Sequence, residues 1–220
     1  MDGEHGISRR DLLVGASLGA AGLAAASLLA PCSQAQADAV ADPAPSGGGQ
    51  YGFLVRANSC LACGDCVDSC RTRSNTPTDA PARRQIVGFE IDGRKTKHIS
   101  LSCMHCADPA CAKVCPAHAI TKGEGGIVSV DKGRCIGCKY CYQACPYGVP
   151  HYLADGMDKC DYCLGNGVKL GETPYCVRAC KYGALEYGLV EELSELAGGA
   201  AVAVEGPSET AVLITGTRKA

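Results

Sequence analysis

The chain has 220 residues, a formal net charge of −2 and 17 cysteines, with no tryptophan and two phenylalanines. Its near-neutral charge gives no indication of a nucleic-acid partner. Because aromatic side chains are so few, the chain has little material for one large apolar core, and its stability must have another source.

Residues 1–37 are predicted to be a twin-arginine signal peptide rather than part of the fold. Residues 8–13 have the sequence SRRDLL, a stretch rich in Ala and Gly follows, and Ala35-Gln36-Ala37 offers an A-x-A cleavage site. Two alternatives stay open. The stretch is nearly long enough to remain as a membrane anchor, and Cys32 lies in a partial lipoprotein box where a lipid could be attached.

A flexible linker is predicted at residues 38–50, where Pro, Gly and Ser are frequent. The ordered domain is predicted to cover residues 51–187 and to begin with a strand at Tyr51–Arg56. Residues 188–220 are predicted to form a C-terminal extension.

An insert is predicted at residues 71–101, where basic side chains outnumber acidic ones. Gln85–Asp92 and Lys97–Leu101 are predicted to pair as a hairpin that turns at Asp92-Gly93. The basic excess would suit an acidic partner. An ordinary solvated hairpin explains the same charges and is the preferred interpretation.

One element recurs after the insert: a cysteine, a turn and the apolar start of a strand. It is present at Cys115–Ile120, Cys145–Val149 and Cys180–Leu185. A further strand is predicted at Ile127–Val130.

The C-terminal extension is predicted to hold one helix and one strand. Leu189, Leu193 and Leu196 indicate the apolar face of a helix over residues 188–197. The strand is predicted at Ala211–Thr215. No long apolar stretch follows the last cysteine, so no membrane anchor is expected here.

Sixteen of the cysteines fall into four groups of four, and this pattern is the strongest functional signal in the sequence. Groups one and three have the spacing C-x2-C-x2-C-x3-C, group two has C-x2-C-x4-C-x3-C and group four has C-x2-C-x12-C-x3-C. In chain order, the groups are Cys60, Cys63, Cys66 and Cys70; Cys103, Cys106, Cys111 and Cys115; Cys135, Cys138, Cys141 and Cys145; and Cys160, Cys163, Cys176 and Cys180.

This spacing is the one that bacterial ferredoxins use to bind 4Fe–4S clusters. Three cysteines wrap a tight loop around a cubane, and the fourth, about one helical turn further on, can reach a different cluster. Pro116 and Pro146 follow the fourth cysteine of groups two and three, which suits the end of a short helix. We therefore predict four 4Fe–4S clusters, whose binding supplies much of the folding energy.

Two other uses of the cysteines fit the sequence less well. A disulfide scaffold suits an exported chain, but disulfides have no reason to repeat this spacing, and cysteines so close on a loop pair poorly. Zinc favours isolated C-x2-C pairs, so group four alone is compatible with a zinc site. Either scaffold would be colourless, whereas four clusters would make the protein dark brown.

Groups two and three look like one two-cluster ferredoxin, and groups one and four flank it as a second. The predicted fold is therefore α+β, with two nested bacterial-ferredoxin-like 2×(4Fe–4S) modules and a hairpin insert. The signal peptide agrees with this prediction, because the twin-arginine route exports proteins that have already folded around their clusters. We expect the mature protein in the periplasm or on the outer face of the cytoplasmic membrane.

Residues 51–187 resemble the four-cluster electron-transfer (beta) subunits of the dimethyl sulfoxide reductase and polysulfide reductase family of molybdoenzymes. The order of the groups, with wider second and fourth groups, is specific to that family. Its nitrate-reductase members replace one cysteine of group three and hold a 3Fe–4S cluster there. Cys138 occupies that position here, so the resemblance implies four cubanes.

The resemblance also implies that each cluster takes three cysteines from one group and the fourth from another. We name each set after the group that supplies three. The first set is Cys60, Cys63, Cys66 and Cys180; the second is Cys103, Cys106, Cys111 and Cys145; the third is Cys135, Cys138, Cys141 and Cys115; and the fourth is Cys160, Cys163, Cys176 and Cys70.

The implied function is electron transfer in anaerobic respiration, between a quinone-linked membrane anchor subunit and a molybdopterin-containing catalytic subunit. The chain is then not an enzyme on its own, and no catalytic residue is predicted. The alternative is a stand-alone exported ferredoxin-like carrier, which needs neither the insert nor the extension. Lys139 and His105 lie inside cluster loops, where positive charge would raise reduction potentials. Solvated or backbone-bonded side chains are the alternative for both.

Overall fold

A computed structural model describes residues 48–91 and 95–216. The predicted signal peptide, most of the linker and the turn at Asp92-Gly93 lie outside the described residues. The described part mixes short strands and short helices, which is compatible with a ferredoxin-like α+β fold. The strands are β1 Tyr51–Arg56, β2 Gln85–Ile91, β3 Lys95–Leu101, β4 Ile120–Lys122, β5 Val128–Val130, β6 His151–Leu153, β7 Gly156–Asp158, β8 Leu185–Leu189, β9 Val202–Ala203 and β10 Val212–Thr215, and the helices are α1 Asp65–Arg73, α2 Ala110–Lys113, α3 Tyr140–Ala144, α4 Tyr175–Arg178 and α5 Val190–Leu196.

The largest sheet has the strand order β8-β1-β10-β9. Strand β1 pairs antiparallel with β8 and parallel with β10, so the first described strand lies between strands from the C-terminal part of the chain. Phe53, Leu54 and Val55 are buried on both faces, as expected for a central strand. The predictions of the first and last strands are confirmed, the last one beginning at Val212.

Three two-stranded antiparallel sheets complete the strand pairing: β2 with β3, β4 with β5, and β6 with β7. Both strands of the predicted hairpin are confirmed, and β3 begins at Lys95 rather than Lys97. The repeated element starts its strand at Ile120 and Leu185 as predicted. After Cys145 the strand begins only at His151, because Pro150 has no N–H with which to join a ladder.

The C-terminal helix forms, but its apolar face differs from the predicted one. Because α5 begins at Val190, its inward positions are Val190, Leu193 and Ala197, and Leu193 packs with Leu54 and Leu213. Leu196 is 61% exposed, so its predicted place on the buried face is wrong.

The helices pack in two pairs, α1 with α4 and α2 with α3. An ion-pair network lies beside them, where Arg83 donates two hydrogen bonds, of 2.7 and 2.6 Å, to the buried Asp158. Burial alone would raise the pKa of Asp158, but His151 and Arg83 hold that pKa below its usual range. Within the described residues, no helix is both long and apolar enough to cross a membrane.

Candidate functional site

Each helix pair carries thiols for two of the four cysteine sets. In the first pair, Cys66 and Cys70 lie one turn apart on α1 and are both buried. Cys176 lies on α4, and Cys180 follows that helix after one more turn. The packing of α1 on α4 therefore places cysteines of the first and fourth sets side by side.

The second helix pair repeats this arrangement with the other two sets. Cys111 lies on α2 and Cys115 follows it, while Cys141 lies on α3 and Cys145 follows it. Because α2 packs on α3, cysteines of the second and third sets are brought together.

The four C-x2-C loops share a backbone feature. The residue before the second cysteine has a positive φ in every loop: Ala62 at 54°, His105 at 43°, Gly137 at 69° and Tyr162 at 55°. A left-handed residue lets successive backbone N–H groups point into one concavity, the kind of nest that many iron–sulfur sites use. Only the glycine gave any hint of this in the sequence, because L-residues rarely adopt that conformation.

The first set surrounds one cavity. Cys60, Cys63, Cys66 and Cys180 all line it, and most of the remaining lining is apolar, with Leu61 and Leu185 on the wall. The side chain of Ser100 also reaches this cavity, and its Oγ lies 3.2 Å from Cys66 Sγ.

The third set surrounds a second cavity in the same way. The four cysteines of the third set line it together with Ile136, Lys139 and Tyr152. The Tyr152 hydroxyl lies 3.0 Å from Cys141 Sγ. Backbone N–H groups of Ala119 and Met157 donate to Cys115 Sγ at 3.3 Å and to Cys135 Sγ at 3.4 Å.

The fourth set is the most deeply buried. Burial raises the pKa of the Cys70 thiol to about 12, and the nearby Cys176 and Cys163 thiolates would add to that rise. Burial also raises the pKa of Cys160, which has Cys70 and Cys176 as neighbours. All four thiols of this set therefore lie close to one another.

The thiols of the second set are also mutual neighbours. Burial raises the pKa of Cys111 to about 12, with Cys103, Cys145 and Cys106 adding to the rise and Lys159 opposing it. Ligation by iron would replace these bound protons, because thiolates rather than thiols bind metal.

His105 and Tyr162 lie between the second and fourth sets. Their rings stack with centroids 3.8 Å apart, and His105 Nδ1 accepts a hydrogen bond of 3.0 Å from the Val128 N–H. Burial lowers the pKa of His105 well below its usual value. His105 is therefore bonded to the backbone as a neutral ring and does not supply a positive charge to the clusters. Lys139 is exposed, with its Nζ 5.5 Å from the centre of the Tyr152 ring.

The residues present fit 4Fe–4S clusters. All sixteen grouped cysteines are free thiols, they gather in sets of four, and hydroxyl or backbone groups are close to several sulfurs. Among the described residues, no three His, Cys, Asp or Glu side chains are close enough to bind a single metal ion. Ser100 and Tyr152 were not predicted to lie at these sites, because no local sequence pattern indicates that a serine or a tyrosine far along the chain will contact a cysteine sulfur.

Several known proteins are similar to this chain in sequence. Residues 95–190 match the family described as the 4Fe-4S dicluster domain. The probable anaerobic dimethyl sulfoxide reductase chain YnfG of Escherichia coli K12 is 40% identical over 158 residues, which are 66% of this chain and 77% of that protein. The thiosulfate reductase electron transfer subunit PhsB of Salmonella typhi is 36% identical over 150 residues, 65% of this chain and 78% of that protein. Protein NrfC of Escherichia coli K12 is 33% identical over 192 residues, 84% of this chain and 81% of that protein.

Proposed function

This chain belongs to the iron–sulfur electron-transfer subunits of the dimethyl sulfoxide reductase family of molybdoenzymes, and we propose that it relays single electrons through four 4Fe–4S clusters between a quinone-linked membrane subunit and a molybdopterin catalytic subunit. It is not an enzyme on its own, since one relative is named as the electron transfer subunit of a reductase and another as one chain of a reductase. The observation that carries the proposal is that the four cysteines of the first set line one cavity and the four cysteines of the third set line another.

The packing of the helices supports an arrangement of the four sets in a row, as a relay needs. The first and fourth sets meet where α1 packs on α4, and the second and third meet where α2 packs on α3. Tyr162 lies between them, with Cys160 of the fourth set and Cys103 of the second set as neighbours. We propose on this basis that the helix pairs are two nested two-cluster modules, with the first and third sets at the ends of the row.

Exposed apolar side chains lie at both ends of that row. Leu61, beside the first set, is 63% exposed, and Ile136, beside the third set, is 67% exposed. Tyr182 and Tyr140 are also largely exposed next to the same two sets. Apolar surface at a cluster rim suits a protein interface, so we assign one rim to each partner subunit.

The chain itself supplies the surroundings that set each reduction potential. It buries the sulfurs, places hydroxyl and amide donors near them and positions nearby charges, and all three factors tune an iron–sulfur cluster. Export by the twin-arginine route, with the mature protein in the periplasm or on the outer face of the cytoplasmic membrane, is part of the same proposal. It is supported by the SRRDLL sequence and the A-x-A site.

The test is anaerobic purification of the tagged chain from its own host. We expect about sixteen iron and sixteen labile sulfide per chain, together with a molybdenum-containing subunit and a membrane subunit. Zinc without labile sulfide would overturn the cluster proposal. Full cluster content without any partner would leave the stand-alone carrier.

Matched surface variants sharpen the assignment of the rims. Leu61→Glu and Ile136→Glu should keep the wild-type iron content, and each should lose one partner subunit. Leu196→Glu is the control, because Leu196 is 61% exposed and lines neither cysteine cavity. Loss of the same partner in all three variants would contradict the assignment.

A further inference from the structure

Arg84 is a fully buried cation at the base of the β2–β3 hairpin. Only 1% of the residue is exposed. Its Nη1 donates to Ser100 O at 2.9 Å and to Ser100 Oγ at 3.2 Å, and its Nη2 donates to Ser102 Oγ at 3.2 Å. The guanidinium carbon lies 4.4 Å from the centre of the Phe53 ring. Arg84 is therefore held in place by neutral groups.

The preceding arginine shows how unusual this is. Arg83 donates to Asp158 and forms salt bridges of 2.6 Å with Asp158 and 3.1 Å with Asp161. No carboxylate in the described part of the chain forms a salt bridge with Arg84. A buried charge ordinarily needs a counter-charge, so the negative groups around Arg84 must be of another kind.

Those groups are cysteines of two different sets. Cys66 of the first set and Cys70, Cys160 and Cys176 of the fourth set belong to the same buried cluster as Phe53, whose ring lies against the Arg84 guanidinium. Burial alone would lower the pKa of Arg84, but these cysteines, in their deprotonated form, raise it above its usual value. Arg84 thus lies close to two proposed cluster sites at once.

We propose that Arg84 is shared by the first and fourth clusters and that its buried charge raises the reduction potentials of both. The inference rests on the proposed function, because it requires clusters at those two sets. The base of the β2–β3 hairpin then has a functional role, because it holds the Arg84 cation between the two sites.

The physical reason is the charge added on reduction. Each one-electron reduction by the titrant adds one negative charge to a cluster, and a fixed cation within about 10 Å in a protein interior stabilises that charge. Ser100 extends the effect to the first set, because its hydroxyl accepts from Arg84 and lies 3.2 Å from Cys66 Sγ. No proton is taken up, since arginine is already charged.

The test is a dithionite titration of the full chain with its clusters, followed by EPR, in wild type and Arg84→Gln. Glutamine removes the charge and keeps an amide donor for Ser100. We expect two of the four reduction equilibrium constants to fall about tenfold, which is about 59 mV for a one-electron couple, while the other two stay unchanged. Arg84→Lys should restore most of the loss.

Lys181→Gln is the charge-matched control. Lys181 follows Cys180 of the first set, but its side chain is 60% exposed and pairs with Asp65 at 2.9 Å. Solvent and salt screen such a charge, so all four potentials should stay as in wild type. A shift as large as that of Arg84→Gln would show that burial is irrelevant and would overturn the proposal.

Other outcomes also decide the question. Unchanged potentials in Arg84→Gln, an equal fall of all four, or a failure of Arg84→Lys to restore them would each refute the shared role. If Arg84→Gln assembles no clusters, the iron and labile sulfide contents of the two variants decide. Recovery of both in Arg84→Lys supports a requirement for the positive charge. Loss of both in the two variants would mean that Arg84 acts only through packing. A wild-type protein without four clusters would instead refute the proposed function.

Discussion

The first and third cysteine sets occupy similar cavities in different surroundings. In both, a hydroxyl lies close to the sulfur of the third cysteine of the loop, Ser100 on Cys66 and Tyr152 on Cys141. A cation is also near each of these two side chains. At the first set it is the buried Arg84, and at the third set it is an exposed lysine above the Tyr152 ring.

The difference teaches that the cysteine pattern fixes where a cluster is held, whereas long-range packing fixes its electrical environment. A buried cation acts through a low dielectric, and an exposed one is screened by water and salt. Two sites with the same C-x2-C-x2-C loop should therefore differ in reduction potential, with the first set the more easily reduced. Three matched pairs of variants, with one variant at each set, test how far the first and third sets behave alike.

Removal of one ligand from each set should have the largest effect. Cys66→Ala and Cys141→Ala should each lose one cluster, or about a quarter of the iron and labile sulfide. With the proposed ligand sets, the first cluster would join positions 60 and 180 of the chain, whereas the third would join positions 115 and 141. Because closing a longer loop restricts the unfolded chain more, Cys66→Ala should also lose roughly 1 kcal/mol more stability.

Metal analysis and anaerobic denaturant unfolding measure these two effects. Both cysteines are 7% exposed, so the cavity left by each truncation is comparable and the pair is well matched. Equal losses of stability in the two variants would mean that the length of chain closed by a cluster does not affect the stability.

The four cysteine groups could be recognised in the sequence because spacing is a local property. The crossed sets came from the family resemblance, since the turn of helix between Cys66 and Cys70 only allows the two thiols to reach different sites. The predicted buried side of α5 is wrong because Leu189 ends strand β8, so the inward side of the helix is set by the packing of Val190 and Leu193 rather than by the spacing of the leucines. Arg84 could not be recognised, since its partners come from strands and loops far apart in the chain.

A glycine exchange between the two loops should have a smaller effect. The equivalent positions are Ala62 and Gly137, both with positive φ, and a Cβ on Gly137 would contact nothing within 4 Å. Gly137→Ala should therefore cost only the strain of a left-handed L-residue, about 1 kcal/mol. Ala62→Gly should relieve the same strain, but the greater freedom of glycine in the unfolded chain offsets most of the gain.

Loss of cluster absorbance in denaturant measures both loop variants. We expect a lower midpoint for Gly137→Ala and a midpoint within error of wild type for Ala62→Gly. A destabilised Ala62→Gly would show that the first loop depends on the alanine methyl group rather than on backbone conformation alone.

Removal of the two hydroxyl groups should have the smallest effect and the most selective one. Ligation makes each sulfur an acceptor, so Ser100 donates to Cys66 Sγ and Tyr152 to Cys141 Sγ, and such contacts raise a cluster's potential. The net contribution of such a hydrogen bond is about 0.5–1 kcal/mol, so its loss corresponds to a two- to fivefold fall in the reduction equilibrium constant. Tyr152→Phe should shift the third cluster alone.

Ser100→Ala should shift the first cluster, and its effect should exceed that of Tyr152→Phe, because Ser100 also accepts a hydrogen bond from the buried Arg84. EPR-monitored titrations of both variants measure the two shifts. If Ser100→Ala in an Arg84→Gln background produces no further shift, hydroxyl and cation act as one unit. Shifts that simply add would mean that the serine tunes Cys66 by its own hydrogen bond and the arginine by charge alone.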